Sequence, residues 1–229
     1  TPDYFDNDYF DDTYFRGPER KPEKCEGYCT DIWFDNAIDF IRNHKTGPFF
    51  CYLATNAPHG PLNVAEKYSQ PYIDKGVSPN MAKFYGMITN IDENLGRLRA
   101  ALDEIGIADN TILIFMTDNG TASGVLNRPQ DGVWPGFNDE MRGQKGSVYD
   151  GGHRVPFFIR WPNGKLTDGR DIDRLALHVD VLPTLAELCN IEIPKGMKLD
   201  GTSLAADIRG ESTAPSSRIM FAESHRIDF

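Results

Sequence analysis

The segment 111–117, TILIFMT, constrains this chain more than any other. It is a continuous apolar run closed by Asp118, Asn119 and Gly120. Such runs between turn formers read as strands buried on both faces, the pattern of a parallel sheet. In open α/β sheets, ligands bind beyond the carboxyl ends of the strands. Asp118 and Asn119 stand at such an end, and Gly120 permits a sharp turn. A carboxylate beside a carboxamide offers hard oxygen donors, which suit Ca2+ or Mg2+ better than zinc or copper. Taken alone, Asp-Asn-Gly also reads as a plain turn.

The flanking sequence alternates between helix and strand. A helix is expected over Thr30–His44, with Thr30 as its cap, Asp31 at its positive end, and Arg42, His44 and Lys45 at its negative end. GPFFCYLAT (47–55) reads as a buried strand, followed by a loop stiffened by Pro58 and Pro61. From Ser78-Pro79 to Gly106, the residues Phe84, Ile88, Ile91, Leu95, Leu98, Leu102 and Ile105 recur at spacings of three and four, the apolar stripe of a core helix. A long polar loop occupies 119–147. VPFFIRWP (155–162) reads as another buried strand and SRIMFAES (217–224) as a last one. HVDVLPTLAELCN (178–190) reads as a helix with Pro183 in its first turn, where His178 and Asp180 cap and pack. Residues 1–29 look loop-like, and 30–229 form the core. This order predicts an α/β fold with a mainly parallel sheet sandwiched by helices.

Composition narrows the function. Hydrophobic residues make up 40% of the 229, enough for a packed core. The net charge of −10 argues against a nucleic-acid partner, which would need a basic footprint. It leaves room for an anionic small molecule, because charge in a pocket can oppose the global sign. No apolar stretch is long enough for a membrane span. Cys25 and Cys29, in CEGYC, allow either a local disulfide or two free thiols. Cys51 and Cys189 read as small core residues. The opening TPDYFDNDYF reads as the interior of a longer protein rather than as a signal peptide.

Three loops carry candidate chemistry: TNAPHGP (55–61), TDNG (117–120) and RGQKGSVYDGGHRVP (142–156). In this order, and together with GYCTDIWFDNAIDFI, HVDVLPTLAEL and LDGTSL, they resemble the sulfatase family of the alkaline-phosphatase-like fold. The resemblance implies that Asp118 and Asn119 are ligands of one divalent metal, usually Ca2+. It implies that Lys145 contacts the substrate sulfate, and that His59 faces the ester oxygen and protonates the leaving group. A cation and a proton donor placed there act where negative charge develops as the S–O bond breaks. Asn127, Arg128, Trp134 and Asn138 in the long loop are plausible substrate contacts. His153 and Arg154 match a further family pattern, with Arg154 bracing loop and strand. Where two-metal phosphatases and phosphodiesterases of this fold resemble DHG, this chain has Asn119, and Asn cannot replace imidazole on zinc.

Sulfatases use a formylglycine made from a C-x-P-S-R-like motif. None of CEGYC, CTDIW, CYLAT or CNIEI fits it, and APSSR places Ala214 where the nucleophile would stand. The expectation is therefore the C-terminal portion of a sulfatase catalytic domain, with active-site loops at 54–62 and 118–155 and the formylglycine in a part upstream. The implied substrate is a sulfated small molecule or glycan, sulfated carbohydrate foremost. By resemblance, the implied location is periplasmic, secreted or lysosomal. Two other readings stay open: a phosphodiesterase or phosphonate hydrolase of the same fold, and a noncatalytic glycan-binding relic.

Overall fold

The computed structural model describes residues 9–121, 138–166, 169–211 and 218–221. These fall into two compact units. The described residues of the first are 9–108 and 138–140; those of the second are 109–121, 141–166, 169–211 and 218–221.

The first unit opens with a hairpin that the sequence did not announce. Strands β1 (Thr13–Arg16) and β2 (Lys21–Lys24) pair antiparallel, Thr13 opposite Lys24. Helix α1 follows (Cys29–His44), then α2 (Glu66–Ile73) and the long α3 (Pro79–Glu104). The expected bounds of α1 hold, but its cap does not. Tyr28 occupies the N-cap without a side-chain bond, and Thr30 lies inside the helix, buried.

Helix α3 starts at Ser78-Pro79 as expected, yet its buried face is offset from the predicted stripe. Met81, Ala82, Gly86, Met87, Asn90, Asn94, Leu98, Ala101 and Leu102 are buried, whereas Ile88 is 42% exposed. The offset follows from a polar contact with α1. Asn90 and Asn94 donate their side-chain N–H groups to one Asp31 oxygen at 2.8 and 2.7 Å. Arg97 donates to Asn94 Oδ1 at 2.7 Å and pairs with Asp35. Buried amides are tolerated where hydrogen-bonded. Tyr9, Tyr14, Tyr28, Cys29, Ala57, Val64, Tyr68 and Met87 form an apolar cluster in this unit. The expected strand 47–55 does not form: the described backbone there has no ladder partner, and Phe50 and Tyr52 are 74% and 80% exposed. An apolar segment becomes a strand only when another strand satisfies its backbone groups.

In the second unit, β3 (Leu113–Met116) pairs with β4 (Phe157–Arg160), Leu113 opposite Arg160. The pair runs antiparallel, one antiparallel pairing within a fold expected to be mainly parallel. Among the described residues of their connection, the one helix is the four-residue α4 (Asp150–His153), and antiparallel strands need no crossover helix. Large sheets often add an antiparallel strand to a parallel set. Helix α5 (Val181–Leu188) carries Pro183 in its first turn as predicted, and a short α6 (Ala205–Arg209) follows Leu204. Among the described residues 218–221 of the expected last strand, no strand forms.

Asp180 is fully buried, and its carboxylate accepts the Leu177 and Thr202 N–H groups at 2.7 and 2.8 Å and the Arg218 guanidinium at 2.6 Å. Its expected capping role holds, and it also ties three segments together. All four cysteines are free thiols. Cys51 and Cys189 are exposed, which corrects their placement in the core; Cys51 goes with the unpaired segment 47–55, and Cys189 is the C-cap of α5, where the helix ends.

Candidate active site

Strand β3 delivers Asp118 and Asn119 to its carboxyl end, as its sequence predicts. Asp118 is exposed and Asn119 half-buried. The turn is held from both sides. Thr117 Oγ1 donates to the Asn119 carbonyl at 3.4 Å, and Asn119 Nδ2 donates to the Gly120 carbonyl at 3.1 Å. An amide is planar, so this bond turns Asn119 Oδ1 away from that carbonyl. His178 donates a third restraint, Nε2–H to the Thr117 carbonyl at 2.8 Å.

Lys145 comes to the same place through backbone pairing. Its N–H donates to the Thr121 carbonyl at 2.9 Å, and the Gly120 N–H donates to the Gly152 carbonyl at 2.9 Å. The segment 142–153 is folded on itself by bonds from Gly151 N–H to Arg142 and from Ser147 N–H to Gln144. His153 Nε2–H donates to the Val148 carbonyl at 3.1 Å, and the Arg142 guanidinium lies 3.7 Å from the Tyr149 ring centroid. No larger residue fits at the crossing. A Cβ on Gly120 would sit 1.9 Å from the Gly151 carbonyl oxygen, and one on Gly151 would sit 2.2 Å from that of Gly143. One compact assembly thus presents a carboxylate, a carboxamide and a lysine.

His59 belongs to the first unit, in a turn closed by its own N–H on the Asn56 carbonyl at 2.9 Å. His59 Nδ1 lies 2.9 Å from the Gly60 carbonyl. A carbonyl can only accept, so Nδ1 carries a proton. The turn is seated on the aromatic cluster. Tyr9 OH donates to the His59 carbonyl at 2.6 Å and lies 3.2 Å from that of Asn56, while Cys29 Sγ donates to Asn56 Oδ1 at 3.4 Å. The sequence held no hint of Tyr9, because only contact in space reveals it. His178 was visible only as a helix-start residue.

Of the remaining candidates, Asn138 is half-buried, and Asn127, Arg128 and Trp134 lie outside the described residues. Among the described residues, no cluster of three or more His, Cys, Asp or Glu side chains forms a metal site. Asp118 and Asn119 supply hard oxygens that fit a cation such as Ca2+, but two donors are part of the six to eight it takes. Cys29 does not fit a nucleophile: it is buried and bonded, and burial pushes its thiol up from 9 to about 11.

Comparison with known proteins gives this arrangement its context. The sulfatase family profile matches residues 2–191. Over 193 residues the chain is 37% identical to the uncharacterized sulfatase YdeN of Escherichia coli (strain K12), covering 83% of this chain and 32% of that protein. It is 31% identical over 189 residues to the steryl-sulfatase of Mus musculus, covering 82% of this chain and 28% of that one. Among solved structures, Ps i-CgsB in complex with k-i-k-neocarrahexaose matches with a TM-score of 0.72 at 31% identity, over 83% of this chain and 41% of that chain. The architecture is the α/β alkaline-phosphatase-like fold. Within it, the chain belongs to the sulfatase family. It spans about a third of the length of the curated relatives it matches.

Proposed function

We propose that this chain forms part of the catalytic domain of a sulfuric ester hydrolase acting on sulfated carbohydrates. The observation that supports the reading is the pairing of the Lys145 N–H with the Thr121 carbonyl at 2.9 Å, which brings the Lys145 backbone beside the Asp118-Asn119 turn. Asp118 and Asn119 would hold one divalent cation, Ca2+ by the hardness of their oxygens. When bound, the cation supplies polarisation of the sulfate oxygens. Lys145 binds the sulfate through its ammonium. As an oxygen nucleophile, water in the net hydrolysis, forms the new S–O bond, His59 as the imidazolium would give its Nε2 proton to the bridging oxygen, which takes the electron pair of the breaking S–O bond and leaves as a hydroxyl. Asn127, Arg128, Trp134 and Asn138 contact the sugar. The family's formylglycine does not fit any of the four cysteines here, so no step is assigned to it. The oligosaccharide bound by Ps i-CgsB supports the carbohydrate reading.

The test compares His59→Ala and Lys145→Ala in the full-length parent, on a sugar sulfate and on an activated aryl sulfate. His59→Ala should lower kcat for the sugar sulfate by about 10²–10⁴-fold and spare the aryl sulfate, whose phenolate leaves without a proton. Lys145→Ala should raise KM and lower kcat/KM on both. Equal losses for His59→Ala on the two substrates would remove its acid role. Turnover of a phosphodiester above that of both sulfates would favour the phosphohydrolase reading. The 229-residue chain alone should not turn over either sulfate ester.

A further inference from the structure

We propose that Tyr9 is a positioning residue for His59, acting through the backbone of the Asn56–His59 turn. The proposal rests on the acid role assigned above to His59. The Tyr9 side chain is 1% exposed, and its hydroxyl is the polar group aimed at the two carbonyls that begin and end the turn, 3.2 Å from Asn56 and 2.6 Å from His59. The shorter contact is the hydrogen bond; it fixes the peptide that carries His59, and with it the ring held by the Gly60 carbonyl. The same residue accepts the Cys29 N–H with its own carbonyl at 2.9 Å, so the start of α1 and the turn share one anchor.

Its backbone supports the assignment. Tyr9 has φ of 76°, the left-handed region that bulky residues seldom enter. Such conformations persist where surroundings over-determine them, and they gather at functional sites. Here the surroundings are the stacked Tyr28 ring, with centroids 5.8 Å apart, and the adjoining bridge between Phe10 and Tyr28. A buried tyrosine in ordinary backbone would fill the same cluster. The left-handed turn instead delivers the hydroxyl to the His59 carbonyl.

Tyr9→Phe keeps the ring and removes the donor; Tyr28→Phe, which removes the hydroxyl bound to the Asn63 carbonyl at 2.9 Å, is the control from the same cluster. Amide hydrogen exchange is followed in this chain and activity in the full-length parent. With Tyr9→Phe, exchange of the His59 N–H should quicken by about three- to tenfold while α3 amides keep their rates. The kcat on a sugar sulfate should fall by about tenfold with KM unchanged, and the aryl sulfate should be spared. Tyr28→Phe should change neither. If Tyr9→Phe quickens α3 and the turn alike, or leaves the His59 amide unchanged, Tyr9 is packing only and the proposal fails. If exchange changes locally but His59→Ala shows no leaving-group dependence, the positioning stands and the acid role falls.

Discussion

His178 Nε2 lies 2.8 Å from the carbonyl of Thr117, so a residue ahead of α5 steadies the peptide that precedes Asp118. Removing this donor should loosen the end of β3 without unfolding the unit. His178→Ala is expected to lower stability by about 1 kcal/mol and to speed amide exchange across 117–121. In the full-length parent it should weaken cation binding, and His178→Gln, which keeps a donor, should restore part of it. Unchanged exchange at 117–121 in His178→Ala would show that the contact carries nothing.

Asp180 should be the acid-sensitive point of the second unit. Burial pushes its carboxyl up, but the Arg218 guanidinium and the Thr202 and Leu177 N–H groups outweigh this and hold its pKa below the ordinary 3.8. Its charged form is favoured by folding, so its contribution is present above pH 3.8 and is lost as pH falls through the lower folded value. Asp180→Ala leaves two backbone donors and a guanidinium without their acceptor, at a cost of about 3–5 kcal/mol. Urea melts at pH 7 and in stepwise acid should show a large loss for the variant and a flattened acid slope.

At the alkaline end, the first unit should weaken. Folding raises the Cys29 pKa from 9 to about 11, chiefly by burial, and burial together with the neighbouring Cys29 raises Tyr14 and Tyr28 as well. The unfolded chain therefore loses these protons first. Stability from Cys29 is intact below pH 9 and falls between 9 and 11, by up to about 2–3 kcal/mol. Cys29→Ser should shorten that slope. A thiol reagent at pH 8 should label exposed Cys51 and Cys189 at once and Cys29 only on unfolding; rapid labelling of Cys29 would contradict its burial.

Gly120→Ala should couple two loops in failure. The added methyl meets the Gly151 carbonyl at 1.9 Å, so the Asp118-Asn119 turn or the Lys145 segment must move. A loss of about 1–3 kcal/mol is expected. In the full-length parent, cation affinity and sulfate KM should worsen together; a change in one alone would mean that the loops move independently.

Local chemistry made much of this legible. Apolar periodicity and a Ser-Pro start located α3, the turn formers after β3 located Asp118 and Asn119, and Pro183 located α5. What escaped was decided by partners distant in sequence. Asn90 and Asn94 look like surface residues until Asp31, on another helix, accepts both, and that contact rotates the buried face away from Ile88. Phe50 and Tyr52 carry strand propensity, but propensity supplies no neighbouring backbone. Tyr9 and His178 act through carbonyls, which no side-chain pattern encodes.

The Asp31 carboxylate has a consequence for how α1 and α3 find their alignment. Its two amide donors are spaced four residues apart on α3. Sliding α3 by one turn would bring Gly86 and Asn90, or Asn94 and Leu98, to that oxygen, and either shift removes one donor from a half-buried charge. Apolar faces tolerate such slippage; this contact does not. The pair of helices is keyed like a ratchet, and replacing both asparagines with leucine should yield a well-packed unit in which more than one setting is populated.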